Sequence, residues 1–179
     1  MQNLFGKTEP LEIKIGISAC LLGEPVRYDG QDKAHGLLCA LSAQGVTFIP
    51  ICPEVGCGLG VPREAMQLEG DPETARLITC HSRQDKTDQL SRWCQVQITH
   101  LPPLGLSAII LKSRSPSCGH HSTKIVVSPT DSVRGSGLFA QQLERHLPDL
   151  PLFQESDFTD AHDLQRLWQR ISDPQADHG

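Results

Sequence analysis

Cysteines at three points of the chain follow short apolar segments, and this placement has the clearest chemical meaning. The three are Cys20 after residues 13–18, Cys52 after residues 46–51, and Cys118 after residues 106–111. Three thiolates can hold a [4Fe-4S] cluster by three corners and leave one iron open, or hold Zn²⁺ with one position free for water. Each of these ligand sets leaves one coordination position open, which predicts a reactive metal site. The alternative is that these are ordinary buried cysteines of a cytosolic core.

Two further reactive groups follow Cys52. Glu54 lies two residues from a candidate metal thiolate, so its carboxylate can act as general base or proton shuttle for a water near the metal. Cys57 can serve as a reserve ligand or a nucleophile. The alternatives are a loop hydrogen bond for Glu54 and loop packing for Cys57.

Polar groups also surround the three cysteines. Ser115 and Ser117 can donate or accept hydrogen bonds beside Cys118, although Ser next to Pro is also ordinary turn chemistry. Charged groups in the other two loops can orient a polar substrate: Arg27, Asp29 and Arg63. A basic cluster near Cys118 can hold a phosphate: Lys112, Arg114, His120, His121 and Lys124. The alternative for all of these charges is a solvated loop or rim.

The elements that position these residues predict an α/β fold. Apolar runs predict strands over 13–18, 46–51, 75–79, 108–111, 124–128 and 152–153. Helical spacing predicts helices over 33–43, 85–100, about 139–147 and 161–171. The glycines and prolines of 52–64 exclude a regular element there, and the polar 64–73 covers the site or links to the next strand. Alternating strands and helices predict a three-layer sandwich with a mostly parallel, Rossmann-like sheet. Ligands of such sheets bind outside the carboxyl ends of the strands, so the three thiols are expected to meet there.

Composition limits the function. A chain of 179 residues with 38% hydrophobic residues is expected to form one domain, 1–179, with a core over about 13–172 and tails at 1–11 and 173–179. A net charge of −5 argues against long nucleic acid or an anionic membrane as partner. The polar start and the lack of a long apolar run predict a cytoplasmic protein, in which seven cysteines stay reduced. The oligomeric state is expected to be a monomer or homodimer.

Three sequence blocks resemble one known family. They are ISACLLG with VRYDG (residues 17–30), CPEV with GL and VPR (52–63), and SPSCG (115–119). Over about residues 13–155 the chain is similar to the DUF523 family, whose characterised members are thiouracil desulfidases. The resemblance implies a [4Fe-4S] cluster on Cys20, Cys52 and Cys118, with Glu54 and a serine, Ser115 more than Ser117, near the chemistry. Cys57-Gly58 departs from the family pattern, where two small residues are expected.

The resemblance implies removal of sulfur from a thiolated uracil, as free base or mononucleotide. The products are uracil or UMP and hydrogen sulfide, by a hydrolytic, non-redox substitution at an open cluster iron. Water deprotonated by Glu54 is expected to add to the ring carbon as sulfide departs. Two alternatives stay open: a zinc hydrolase with a deaminase-like site, although the H-x-E and P-C-x-x-C signatures are missing, and a non-enzymatic carrier of sulfur or clusters.

Overall fold

The computed structural model of the protein describes residues 12–43 and 45–172. The tails predicted at 1–11 and 173–179 lie outside the described residues. The strands are β1 (Lys14–Ser18), β2 (Thr47–Ile51), β3 (Met66–Glu69), β4 (Arg76–Thr79), β5 (Ala108–Leu111), β6 (Thr123–Ser128), β7 (Asp131–Gly135) and β8 (Leu152–Gln154). The helices are α1 (Gly36–Ser42), α2 (Pro53–Gly56), α3 (Thr87–His100), α4 (Leu138–His146) and α5 (Ala161–Ser172), with short 3₁₀ turns at Ala19–Leu22, Pro102–Leu104 and Glu155–Asp157.

The first sheet confirms the predicted α/β fold class. Its strands run in the order β2-β1-β5-β8, and all neighbours are parallel. Side chains of a strand alternate between the two faces of a sheet. Ala108 and Ile110 of β5 accordingly pack in the cluster that contains residues of α1 and α5. Ile109 and Leu111 pack with α3 and α4 on the opposite face. Helices therefore cover both faces of a parallel sheet, as a three-layer sandwich requires.

A second sheet lies beside the first and was not foreseen as a separate unit. Its order is β4-β3-β6-β7, with β3 parallel to β6 and the outer strands antiparallel. The prediction that residues 64–73 only cover or link was wrong, because β3 pairs on both sides and buries Leu68 completely. β7 was missed because its side chains are mostly exposed, so it lacks the apolar alternation that marks a half-buried strand.

The loop after β2 also differs from its prediction. Residues Pro53–Gly56 form one helical turn, α2, in the stretch for which no regular element was expected. Pro53 occupies the start of this turn, where its missing N–H costs nothing and its fixed φ suits a helix. Among the described residues, no helix has both the length and the apolar character needed to span a bilayer.

The N-terminus of α4 holds the loop that carries Cys118. The backbone N–H of Gly137 donates to the carbonyl of Gly119 at 2.7 Å, and that of Phe139 donates to the carbonyl of Ser117 at 2.9 Å. These donors belong to the first turn of α4, whose N–H groups have no partner within the helix. The loop conformation is therefore fixed by a helix that lies outside the three thiol-bearing segments.

Gly137→Ala is expected to destabilise the protein by about 1–3 kcal/mol through overpacking. A Cβ at Gly137 would lie 2.6 Å from the backbone carbonyl carbon and oxygen of Ser117. Because these are backbone atoms, the clash cannot be relieved by a change of side-chain rotamer. Urea unfolding measures the change. Gly36→Ala is the matched control, because Gly36 starts α1 and has nothing within 4 Å of its Cβ position. Equal stability of the two variants would contradict the tight approach of α4 to the Cys118 loop.

Candidate active site

A cavity of about 420 Å³ opens at the carboxyl ends of β1, β2 and β5. Cys20, Cys52 and Cys118 all line it, because each follows one of these three neighbouring parallel strands. Segments that are far apart in sequence thus bring three thiols to one cavity, as the strand-end argument predicts.

The protein environment disfavours charge on these thiols. Burial, with a contribution from nearby Cys52, raises the pKa of Cys20 to about 11. Burial raises the pKa of Cys118 well above its usual value, against a hydrogen bond from the Ser18 hydroxyl that lowers it. The pKa of Cys52 is also raised by burial. The positive charge of a metal centre is what turns such coordinating thiols into thiolates.

The spacing of the three sulfurs is wider than one tetrahedral zinc ion requires. The three sulfurs of these described residues do not all lie within 4.8 Å of one another. Thiolates that share a single tetrahedral zinc lie only about 3.8 Å apart, since the Zn–S bond is about 2.3 Å. In a [4Fe-4S] cluster each thiolate binds a different iron at a separate corner. In this arrangement the three thiols are too widely spaced to share one tetrahedral zinc, and the zinc alternative is not favoured.

Glu54 stands in α2 with its carboxylate firmly held. Oε2 accepts the Nε–H of Arg63 at 2.7 Å and lies 2.6 Å from Nη2 of the same guanidinium. Oε1 accepts the hydroxyl of Ser117 at 2.8 Å. The side chains of Glu54 and Arg63 are only 12% and 9% exposed. The carboxylate lines the cavity in one fixed orientation, which a group that moves a proton requires.

The two predicted serines have different positions. Ser117 is fully buried and contacts Glu54, whereas Ser115 lines the cavity. The Ser115 oxygen accepts the backbone N–H groups of Ser117 at 3.2 Å and Cys118 at 3.1 Å. Ser115 thus shapes the loop that carries Cys118, and its own O–H proton is still available to donate toward the cavity. Ser117 is the serine that touches Glu54.

The charged residues predicted in the other two loops pair with each other or with Glu54. Arg63 lines the cavity, but its guanidinium is hydrogen-bonded to Glu54. It also donates to the carbonyl of Gly60 at 3.1 Å. Arg27 lines the cavity as well and pairs with Asp29 at 3.2 Å. Asp29 is not among the lining residues; it closes its own turn by accepting the N–H of Gln31.

Four predicted residues lie away from the cavity. The thiol of Cys57 donates to the backbone carbonyl of Glu54 at 3.3 Å. Its side chain packs against the group of buried apolar residues that includes those of α3. His120 and His121 face Glu144 of α4, at 3.1 and 3.6 Å. Lys124 is exposed on β6. The structure does not bring these four together with the three thiols.

Sequence reasoning missed Glu155, the half-buried partner of Lys112 at the border of the site. Glu155 accepts the ammonium of Lys112, the backbone N–H of Ser113 at 2.6 Å and its hydroxyl at 2.7 Å. Burial by itself would raise the pKa of Glu155, but these hydrogen bonds bring it below the usual value. Lys112 and Ser113 line the cavity. The sequence did offer a signal for Glu155. It directly follows β8, the fourth parallel strand, and residues at the carboxyl ends of such strands border the binding edge of the sheet.

Fold and site together define a class, an α/β enzyme with a cavity lined by three thiols and a held carboxylate at the carboxyl edge of a parallel sheet. The chain belongs to the 2-thiouracil desulfurase family, whose model matches residues 15–155. The DUF523 resemblance of the three sequence blocks is confirmed.

Individual relatives agree with this family. The solved structure of the [4Fe-4S]-dependent thiouracil desulfidase TudS is similar, with a TM-score of 0.67 and 34% identity over 87% of this chain and 99% of that chain. The uncharacterized protein YbbK of Bacillus subtilis (strain 168) is 28% identical over 135 residues, which is 72% of this chain and 88% of the relative.

Proposed function

We propose that the protein is a [4Fe-4S]-dependent thiouracil desulfidase, which uses water to convert a thiolated uracil into the uracil and hydrogen sulfide. The observation that carries the proposal is the meeting of Cys20, Cys52 and Cys118 with Glu54 around one cavity. The family supports the reaction, and the name of the similar solved enzyme supports the cofactor.

Cys20, Cys52 and Cys118 would hold the cluster by three corners. When bound, such a cluster supplies an iron with an open position, a thiophilic Lewis acid for the sulfur of a thiocarbonyl. The three thiols give up their protons when the cluster binds, since only the thiolate is a ligand.

Glu54 would take the proton of the attacking water at Oε1. Each carboxylate oxygen offers two lone pairs. Oε2 uses both on Arg63, whereas Oε1 accepts one hydrogen bond from Ser117. One lone pair of Oε1 is therefore available for water, which adds to the ring carbon that bears sulfur. The proton held at Oε1 can then leave with the sulfide, so that C=S plus water becomes C=O plus hydrogen sulfide without net electron transfer.

The charges of the cavity suggest how a mononucleotide would bind. Cationic side chains outnumber Glu54 among the lining residues: Arg27, Lys33, Arg63, Lys112 and Arg114. Of these, Arg63 and Lys112 are committed to half-buried carboxylates. Lys33 and Arg114, and Arg27 beside its pair with Asp29, are therefore better placed for a substrate phosphate than His120, His121 or Lys124.

The direct test is to reconstitute the protein anaerobically and mix it with 2-thiouracil, 4-thiouracil and their nucleosides and monophosphates. We expect loss of thione absorbance and release of one sulfide for each carbonyl formed, over many turnovers. A single turnover per chain would instead indicate a sulfur carrier, and activity of a colourless zinc-loaded protein would indicate the zinc hydrolase. No loss of any thione by a fully loaded protein would overturn the proposal.

The substrate is a small molecule, and no long nucleic acid or membrane partner is proposed. A cytoplasmic location and a monomeric or homodimeric state stay predictions from the sequence.

A further inference from the structure

A second group of metal-ligand side chains lies outside the cavity. Within the described residues, His120, His121 and Glu144 present ligand atoms that all lie within 4.8 Å of one another. His120 and His121 follow the Cys118 loop, and Glu144 stands on α4. We propose that these three side chains bind a zinc ion, separate from the three-cysteine site and with a different ligand chemistry.

Two of the three ligand separations are close to those that one tetrahedral ion requires. Oε1 of Glu144 lies 3.1 Å from Nε2 of His120 and 3.6 Å from Nε2 of His121. Ligands on a tetrahedral zinc, with bonds of about 2.0–2.2 Å to nitrogen and oxygen, lie about 3.4 Å apart. These two separations bracket this value. The ion would therefore fit with small adjustments of side chains that already converge.

The donor types select the metal. Two imidazoles and one carboxylate form the ligand set of open zinc sites, in which water takes the fourth position. The side chain of His121 is 71% exposed, so solvent can reach that position. Imidazole ligands suit zinc and other late first-row ions, whereas magnesium and calcium prefer all-oxygen shells. The site is thus expected to discriminate against the two abundant hard cations.

Ser136 makes hydrogen-bond contacts to two of the proposed ligands, of the kind that orient metal-binding histidines. Its buried oxygen lies 3.3 Å from Nδ1 of His121 and accepts the backbone N–H of the same residue at 3.0 Å. Its hydroxyl donates to Oε1 of Glu144 at 2.8 Å. If Nδ1 carries the proton, the Nε2 lone pair of His121 points at the metal position, as in other ligating histidines. One hydroxyl therefore orients two of the three ligands.

The first measurement is calorimetric titration of the anaerobic, cluster-loaded protein with Zn²⁺. We expect one equivalent to bind, with affinity reduced at least about tenfold in His121→Ala and Glu144→Gln, and about 10–100-fold in Ser136→Ala. His146→Ala is the matched control, because His146 is exposed on α4 and outside the group. Equal affinities of Glu144→Gln and His146→Ala would overturn the proposal. Circular dichroism verifies that the variants fold.

The second measurement needs no variant and identifies the ligand atoms. Zinc K-edge X-ray absorption of the wild-type protein with one equivalent of Zn²⁺ is expected to show nitrogen and oxygen at about 2.0–2.1 Å. Outer-shell scattering from imidazole is expected as well. A sulfur shell at about 2.3 Å would mean that zinc occupies cysteines and would overturn the assignment. Neither readout uses desulfidase activity, so this proposal and the proposed function can fail independently.

Discussion

Glu54→Gln is expected to lower kcat for desulfuration by at least about 100-fold, within the range that a positioned general base contributes. The amide nearly matches the carboxylate in shape, so its carbonyl oxygen can still accept from Arg63. The Ser117 hydroxyl can turn to accept from the amide nitrogen. The lost property is the lone pair at Oε1 that takes a proton from water. The effect should therefore appear in the chemical step rather than in the assembly of the site.

The design separates chemistry from cluster loss. Iron and acid-labile sulfide are measured on each preparation, and thione decay is followed in a single turnover at equal cluster content. Glu73→Gln is the matched control, because Glu73 is exposed in the loop between β3 and β4. We expect wild-type content and rate for the control. A Glu54→Gln protein with full cluster and wild-type rate would remove Glu54 from proton transfer.

The site was predictable where it follows from strand topology. The four consecutive apolar residues of β5 are all buried, and such runs mark the central strand of a parallel sheet. Once β1, β2 and β5 are recognised as parallel, the positions of Cys20, Cys52 and Cys118 follow from the common direction of their carboxyl ends. This part of the prediction used only local pattern and one rule of architecture.

The direction of side chains beyond the strand ends was not predictable in the same way. His120 lies two residues from Cys118, yet it faces Glu144 because the start of α4 fixes the course of this loop. Arg63 lines the cavity as expected of a substrate-orienting group, but its bond to Glu54 was not foreseen. Such pairings depend on how loops pack against distant elements, and residue type and spacing carry no signal for them. Strand β7 was missed for a different reason: its residues are mostly exposed, so its sequence shows no apolar alternation.

Cys118→Ser is expected to weaken cluster retention at least about tenfold, since even loss of an outer-shell partner costs a metal site about that much. Serine keeps the size of the side chain nearly unchanged but replaces a soft thiolate with a hydroxyl that iron–sulfur clusters bind poorly. Cys118 lies on the loop after β5, the strand next to β1 in the sheet. Desulfidase activity is expected to fall with the iron content.

Two controls separate ligation from burial and from thiol chemistry in general. Cys94 is fully buried in α3, and burial raises its pKa to about 12, but it is not among the residues that line the cavity. Cys94→Ser should therefore lower the free energy of unfolding while iron content stays at the wild-type level. Cys39 is exposed on α1, and Cys39→Ser should change neither quantity. If Cys118→Ser retained as much iron per folded chain as Cys94→Ser, the cavity thiols would not be cluster ligands, because burial alone would then account for their placement.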